Sequence, residues 1–106
     1  MIVTTTPNIE GRTVRTYLGV ISSETIIGAN FIKDILGGLR DFFGGRSSTY
    51  EKVMEEAKQS ALRELEDKAR AMGADAVVGV DLDFETIGAN GSMLMVSASG
   101  TAVKLA

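Results

Sequence analysis

Three carboxylates occupy every second position of residues 80–85, VDLDFE: Asp81, Asp83 and Glu85. Alternate side chains of an extended strand project from the same face, so this spacing predicts three carboxylates on one side of a sheet. Several oxygen ligands on one face suit a hard cation such as calcium, magnesium or manganese. The pattern therefore predicts a candidate divalent-cation site, and a solvated sheet face that binds nothing is the alternative.

A second candidate site is the glycine-rich stretch of residues 37–51, GGLRDFFGGRSSTYE. It does not match a Walker phosphate loop, because Arg46 stands where that motif requires lysine before its hydroxyl residue. Ser48 and Glu51 instead have the S-x-x-E spacing of a helix capping box. Because the positive end of a helix attracts anions, Arg46, Ser47 and Ser48 form a second, weaker candidate site for a small anion.

The residue types that are missing exclude most catalytic chemistry. The chain contains 0 Cys and 0 His, which removes disulfides, thiolate nucleophiles, imidazole bases and the preferred ligands of zinc. The three carboxylates are conceivable as a general acid/base pair, but no nucleophile or oxyanion donor accompanies them, so we favour a protein without catalysis. Met93 and Met95 share a strand face and are suited to copper(I), but we interpret them as core methionines that fill space.

Length and charge limit the function further. A chain of 106 residues with 44% hydrophobic residues predicts one globular domain, residues 1–106. The net charge of -3 gives no basic field for nucleic acid. The first 12 residues, MIVTTTPNIEGR, do not resemble a signal peptide, and no apolar run approaches the roughly 20 residues that span a bilayer. We therefore expect a cytoplasmic protein with neither a nucleic-acid nor a membrane partner.

Hydrophobic periodicity predicts the elements that hold these candidates. Apolar residues recur at helical spacing in residues 30–43, which include Gly37 and Gly38, and more strongly in residues 50–72, which end at Gly73 as a C-cap. The predicted strands are residues 2–5, 13–21, 76–86 and 93–105.

The same segments predict how the strands connect. A turn at residues 8–11 joins the first two strands, and a glycine-rich turn at residues 87–92 joins the last two in a hairpin. We expect the final strand to be broken at Ser99 and Gly100. The order predicts an α+β domain with its helices on one face of a mainly antiparallel sheet.

A single helical layer leaves the other sheet face, or a strand edge, without cover. Self-association is the simplest way to protect an exposed edge, so we expect a homo-oligomer. The helix that contains Gly37 and Gly38, with Phe42 and Phe43, is a candidate contact surface. If the carboxylate face is buried between subunits, basic residues are expected beside it, the candidates being Arg12, Arg15 and Lys104.

Five segments resemble, in order and almost end to end, the YbjQ-like family of small bacterial proteins: MIVTTTPNIEGR, IIGANFIKDI, GGRSSTYE, MGADAVVGVDLDFE and GSMLMVSASGTAVKL. That family is functionally uncharacterised and carries a heavy-metal-binding label. The resemblance implies a dodecin-like β-α-β-β unit with extra short strands, assembled into a homopentameric ring. It assigns no catalytic residue to any position of this chain. Without Cys or His, a metal would have to be held by oxygen ligands or between subunits.

These observations support three hypotheses about function. The first is an oligomeric ring without catalysis that binds a metal or small ligand, with Asp81, Asp83 and Glu85 as cation ligands. The second is an enzyme that acts on a phosphorylated small molecule at residues 46–48. The third is a purely structural interaction module that depends on Phe42 and Phe43.

Overall fold

The structure is a computed structural model that describes residues 1–28, 48–89 and 93–106. The described part has one helix and four strands, which are β1 (Ile2–Val3), β2 (Val14–Ile27), α1 (Ser48–Ala71), β3 (Ala76–Ile87) and β4 (Met93–Leu105). The predicted helix at residues 30–43, with Gly37, Gly38, Phe42 and Phe43, lies outside the described residues. So do residues 90–92 of the predicted hairpin turn.

The strands form a mixed sheet of order β1-β3-β4-β2, with α1 on one face. β3 and β4 pair antiparallel from Ile87↔Met93 to Ala76↔Val103, so the predicted hairpin is confirmed. β4 also pairs antiparallel with β2, whereas β1 pairs parallel with β3. The predicted turn at residues 8–11 is confirmed, and the Ile9↔Arg12 bridge closes it. It leads the chain from β1 at one edge of the sheet to β2 at the other edge.

The helix packs on β2 and β4 through small side chains. Ala57, Ala61, Leu65 and Ala69 recur every four residues and are at most 4% exposed. Residues four apart lie on one side of a helix, and alanine allows its backbone to approach the sheet closely. Ser23 of β2, itself buried, therefore reaches the helix and donates a hydrogen bond from Oγ to the Ala61 carbonyl at 2.5 Å.

The end of α1 is set by Gly73, as predicted. Gly73 has φ of 78°, in the left-handed region that favours glycine. Its amide donates to the Arg70 carbonyl at 3.0 Å, and the Ala74 amide donates to the Ala69 carbonyl at 3.0 Å. These two bonds are the pattern of a Schellman motif, which satisfies carbonyls that the last helical turn leaves unpaired.

A one-residue bulge interrupts β3 next to its carboxylates. Val78 pairs with Thr101 but Asp81 pairs with Ser99, so three residues along β3 lie opposite two residues along β4. Gly79 takes φ of 62° at this point. The extra residue reverses the alternation of side chains, so that Val77 and Val80 both join the buried cluster beneath the helix.

The predicted break of β4 at Ser99 and Gly100 was wrong. β4 is continuous through both residues, and the irregularity lies in β3 opposite them. A Cβ at Gly100 would lie 2.8 Å from Val77 Cγ1 and 3.1 Å from Val80 Cγ2. Glycine at this position therefore makes room for the two valines that the bulge brings to the same face.

The described residues cover the opposite face of the sheet at one end only. There Ala76, Val78, Val103 and Leu105 are buried in a second cluster, packed against Ile9 and Val14. Towards the other end of the sheet, no described residue is packed over the strands on this side.

We expect Gly100→Ala to destabilise the fold by about 1–3 kcal/mol, because its methyl group would overlap Val77 and Val80 in a packed core. Chemical denaturation measures the free energy of unfolding. Gly28→Ala is the matched control, since a Cβ there meets no atom of the described residues within 4 Å. Equal stability of the two variants would contradict the close packing described here.

Candidate functional site

The uncovered part of the sheet face opposite the helix brings the predicted cation ligands together with residues of two further strands. We call this surface the open sheet face. Strand pairing arranges it in three rows across β3, β4 and β2, which are Asp81–Ser99–Ser22, Asp83–Ser97–Glu24 and Glu85–Met95–Ile26. The side chains of β2 and β3 in these rows are exposed, and those of β4 are half-buried.

The bulge decides which face the carboxylates occupy. Asp81, Asp83 and Glu85 alternate with residues on the helix side, such as Leu82, and all three are exposed. The prediction that they share one strand face agrees with the paired register. Their role as metal ligands stays a prediction.

Asp81 and Asp83 form a close pair. A hydrogen bond between their side chains and the negative charge of Asp81 raise the pKa of Asp83 above its usual range, and the charge of Glu85 adds to the effect. Because like charges repel, a shared proton or a cation between the two exposed carboxylates relieves this repulsion.

The open sheet face does not by itself enclose a cation. In residues 1–28, 48–89 and 93–106, no group of three or more His, Cys, Asp or Glu side chains is placed to hold a metal ion. Glu24 lies in the same row as Asp83, but with β4 between them the two backbones are separated by roughly 9–10 Å. A single copy therefore offers a carboxyl pair with more distant acidic neighbours.

The basic residues expected beside the carboxylates lie elsewhere in the chain. Arg12 donates from Nη2 to the Ala106 carbonyl at 3.2 Å, and Lys104 pairs in register with Thr16. No ion pair within the described part of the chain involves Asp81, Asp83 or Glu85. Within one copy, Arg12, Arg15 and Lys104 form no ion pair with the described carboxylates, and their approach to the carboxylates between subunits stays a prediction.

The methionines are not core residues, contrary to our interpretation of the sequence. Met93 and Met95 are half-buried on the open sheet face, where Met95 lies between Glu85 and Ile26. Their strand face turns away from the helix, because β4 buries the alternate residues, such as Leu94. Together with Ile26, they form an apolar border beside the acidic rows.

The predicted anion site cannot be built from the described residues. Arg46 and Ser47 lie outside them, and Ser48 is the first residue of α1. This hypothesis stays a prediction.

Sequence reasoning missed four polar members of the open sheet face, Ser22, Glu24, Ser97 and Ser99. The signal for Ser97 and Ser99 is present in VSASGT, where hydroxyl residues alternate with small apolar ones. Ser22 and Glu24 were missed because the predicted strand ended at residue 21, whereas β2 continues to Ile27.

The fold and this surface define a small α+β protein with one helix, a four-stranded mixed sheet and an acidic open face in its described part. The sequence model of the YbjQ-like family, described as "Putative heavy-metal-binding", matches residues 1–106. The chain belongs to this family.

The fold is also similar to a crystal structure of a protein with unknown function from the DUF74 family of Pediococcus pentosaceus ATCC 25745. The two match with a TM-score of 0.62 over 100% of this chain and 98% of that chain, at 18% sequence identity. At this identity the likeness concerns the fold alone. In the described part of the chain, no helix is long and apolar enough to cross a membrane.

The residues present do not fit a soft heavy metal. Such ions select thiolate and imidazole ligands, and the chain has 0 Cys and 0 His. On the open sheet face the only soft donors are the thioethers of Met93 and Met95, whereas the carboxylates and hydroxyls are hard oxygen donors. The chemistry of this surface fits calcium, magnesium or manganese better than a thiophilic ion.

Replacement of Asp83 by Asn should change how stability depends on pH. A carboxyl whose pKa is raised by folding contributes stability at low pH, and this contribution is lost as pH rises through the folded-state pKa. We therefore expect the melting temperature of Asp83→Asn, relative to wild type, to be higher at about pH 7 than at about pH 4.

Thermal unfolding at the two pH values measures this difference. Asp67→Asn is the control, because Asp67 is an exposed aspartate of the helix, away from the open sheet face. A difference between Asp83→Asn and wild type that does not change with pH would contradict the carboxyl pair.

Proposed function

We propose that the protein is a homo-oligomer without catalysis of its own, in which the open sheet face and the free edge of β2 contact neighbouring copies. The observation that carries this proposal is the apolar exposure on one strand. Ile26 is 57% exposed on the open sheet face, Val20 is 82% exposed on the same side of β2 beside the three rows, and Tyr17 is 67% exposed. Exposed apolar side chains that recur along one edge strand support its contact with another chain.

The edge of β2 supports the same proposal. β2 has 14 residues and hydrogen-bonds to β4 on one side, while no described strand pairs with its other side. A long unpaired edge offers backbone donors and acceptors to another chain. Its two register shifts lie between Val14 and Gly19, so residues 20–27 remain a regular template for pairing.

The form of the assembly that we propose is the one that the family resemblance implies, a dodecin-like unit in a pentameric ring in the bacterial cytoplasm. The helix, β3, β4 and β2 supply the sheet and the single covering layer of such a unit. A closed ring would cover the edge of β2 and the apolar border in every copy, because no subunit of a ring lacks a neighbour.

We further propose that the ring binds a hard divalent cation through Asp81, Asp83 and Glu85, with additional ligands from a neighbouring copy. The close Asp81–Asp83 pair supports this assignment, since a cation between the two carboxylates would relieve their repulsion. The purely structural module remains the alternative, and it requires no ligand.

The assembly is tested with the double variant Val20→Lys/Ile26→Lys. Lysine on an exposed strand opposes pairing with a second chain, so we expect native mass spectrometry to show a five-subunit wild type and a monomeric variant. Met72→Lys, which changes a 40% exposed side chain at the end of the helix, should assemble like wild type. A monomeric wild type, or an unchanged assembly of the double variant, would refute the proposed contact.

The cation assignment is tested with Asp81→Asn/Asp83→Asn/Glu85→Gln, titrated with Ca²⁺, Mg²⁺ and Mn²⁺ by calorimetry. We expect wild type to bind at least one of these ions and the triple variant to lose that binding while keeping the assembly. Unchanged ion binding by the triple variant would exclude these ligands. A wild type that binds none of the three ions would favour the structural module.

A further inference from the structure

A groove of about 370 Å³ lies on the other side of the sheet, between α1, the N-terminal segment and β3. It exists because the helix packs mainly over β2 and β4, so the β1 and β3 side of the sheet is less covered by the described residues. Its volume is within the range of small-molecule sites in proteins, roughly 300–1,000 Å³. The groove is separate from the open sheet face, and its role does not depend on the proposed assembly.

The inner wall of the groove is apolar. Val80 is 7% exposed, and Val3, Leu62 and Leu82 are half-buried. Val80 faces this side because of the bulge at Gly79. The wall therefore suits the hydrocarbon part of a ligand.

The helix places a positively charged side chain, Arg63, at the rim of the groove. Gln59, Leu62, Arg63 and Glu66 all line the groove and follow helical spacing, which brings them to one side of α1. Arg63 is exposed and has no ion pair among the described residues. Glu66 Oε1 is already engaged by Arg70 Nη2 at 2.9 Å and by the Met1 amino group at 3.9 Å. The guanidinium of Arg63 is therefore available to bind a negatively charged group of a ligand.

We propose that this groove binds a small apolar monocarboxylate, with its hydrocarbon chain on Val3, Leu62 and Val80 and its carboxylate on Arg63. Guanidinium and carboxylate form a charge-assisted, two-point contact. The exposed hydroxyl of Thr5, also at the groove, offers a further donor. A single negative charge fits better than a phosphate dianion, because Glu66 shares the rim.

Octanoate is the probe for this site. We expect calorimetry with the full chain to show one octanoate per subunit, and methyl NMR to shift the signals of Val3, Leu62 and Val80. Arg63→Gln should weaken binding by about ten-fold or more, since it removes the charged partner. Lys52→Gln removes the same charge from an exposed position of the same helix outside the groove, and we expect it to bind octanoate like wild type.

Acetate tests the contribution of the hydrocarbon chain to binding, and inorganic phosphate tests the preference for a carboxylate. Acetate lacks the hydrocarbon chain, so its affinity should be at least about ten-fold lower than that of octanoate. No heat and no methyl shifts with octanoate, equal affinity of Arg63→Gln and wild type, or tighter binding of phosphate than of octanoate would each overturn the proposal.

Discussion

The bulge at Gly79 is the local feature on which both surfaces of the sheet depend. Without the extra residue, strict alternation would place Asp81, Asp83 and Glu85 on the same side as Val77, beneath the helix. Burial of three carboxylates without partners is strongly unfavourable. The bulge places Val80 in the core instead and turns the carboxylates outward, and Gly100 on the neighbouring strand leaves the space that this arrangement requires.

One helix on a four-stranded sheet also explains why the described part has two unfilled surfaces. Small residues draw α1 close to β2 and β4, where Ser23 donates to Ala61. A helix in this position cannot extend equally over β1 and β3, so a groove remains on that side. Among residues 1–28, 48–89 and 93–106, the opposite sheet face is covered only where Ile9 and Val14 pack, so these residues leave the acidic rows and their apolar border open.

Local patterns predicted the local features of this fold. The apolar stripe predicted residues 50–72 as a helix, which the structure places at Ser48–Ala71, and alternation predicted a common face for the carboxylates. Strand order is not a local property, so neither the parallel pairing of β1 with β3 nor the position of β2 at the far edge was predictable. The glycine of the bulge and the glycine opposite it had no distinguishing local pattern, and the predicted break was therefore assigned to the wrong strand.

The acidic surface gives a physical reason to expect assembly and ion binding to be linked. Within one copy, Asp81 and Asp83 are close, while Glu24 is separated from them by the width of β4. Two carboxylates supply too few oxygens for calcium, which takes 6–8 oxygen ligands. In the proposed ring, a neighbouring copy would complete the ligand set, so the ion would bind the assembled state more tightly than the monomer. By linkage, the same ion would then stabilise the assembly, whereas an ion that bound both states equally would leave the oligomeric state unchanged.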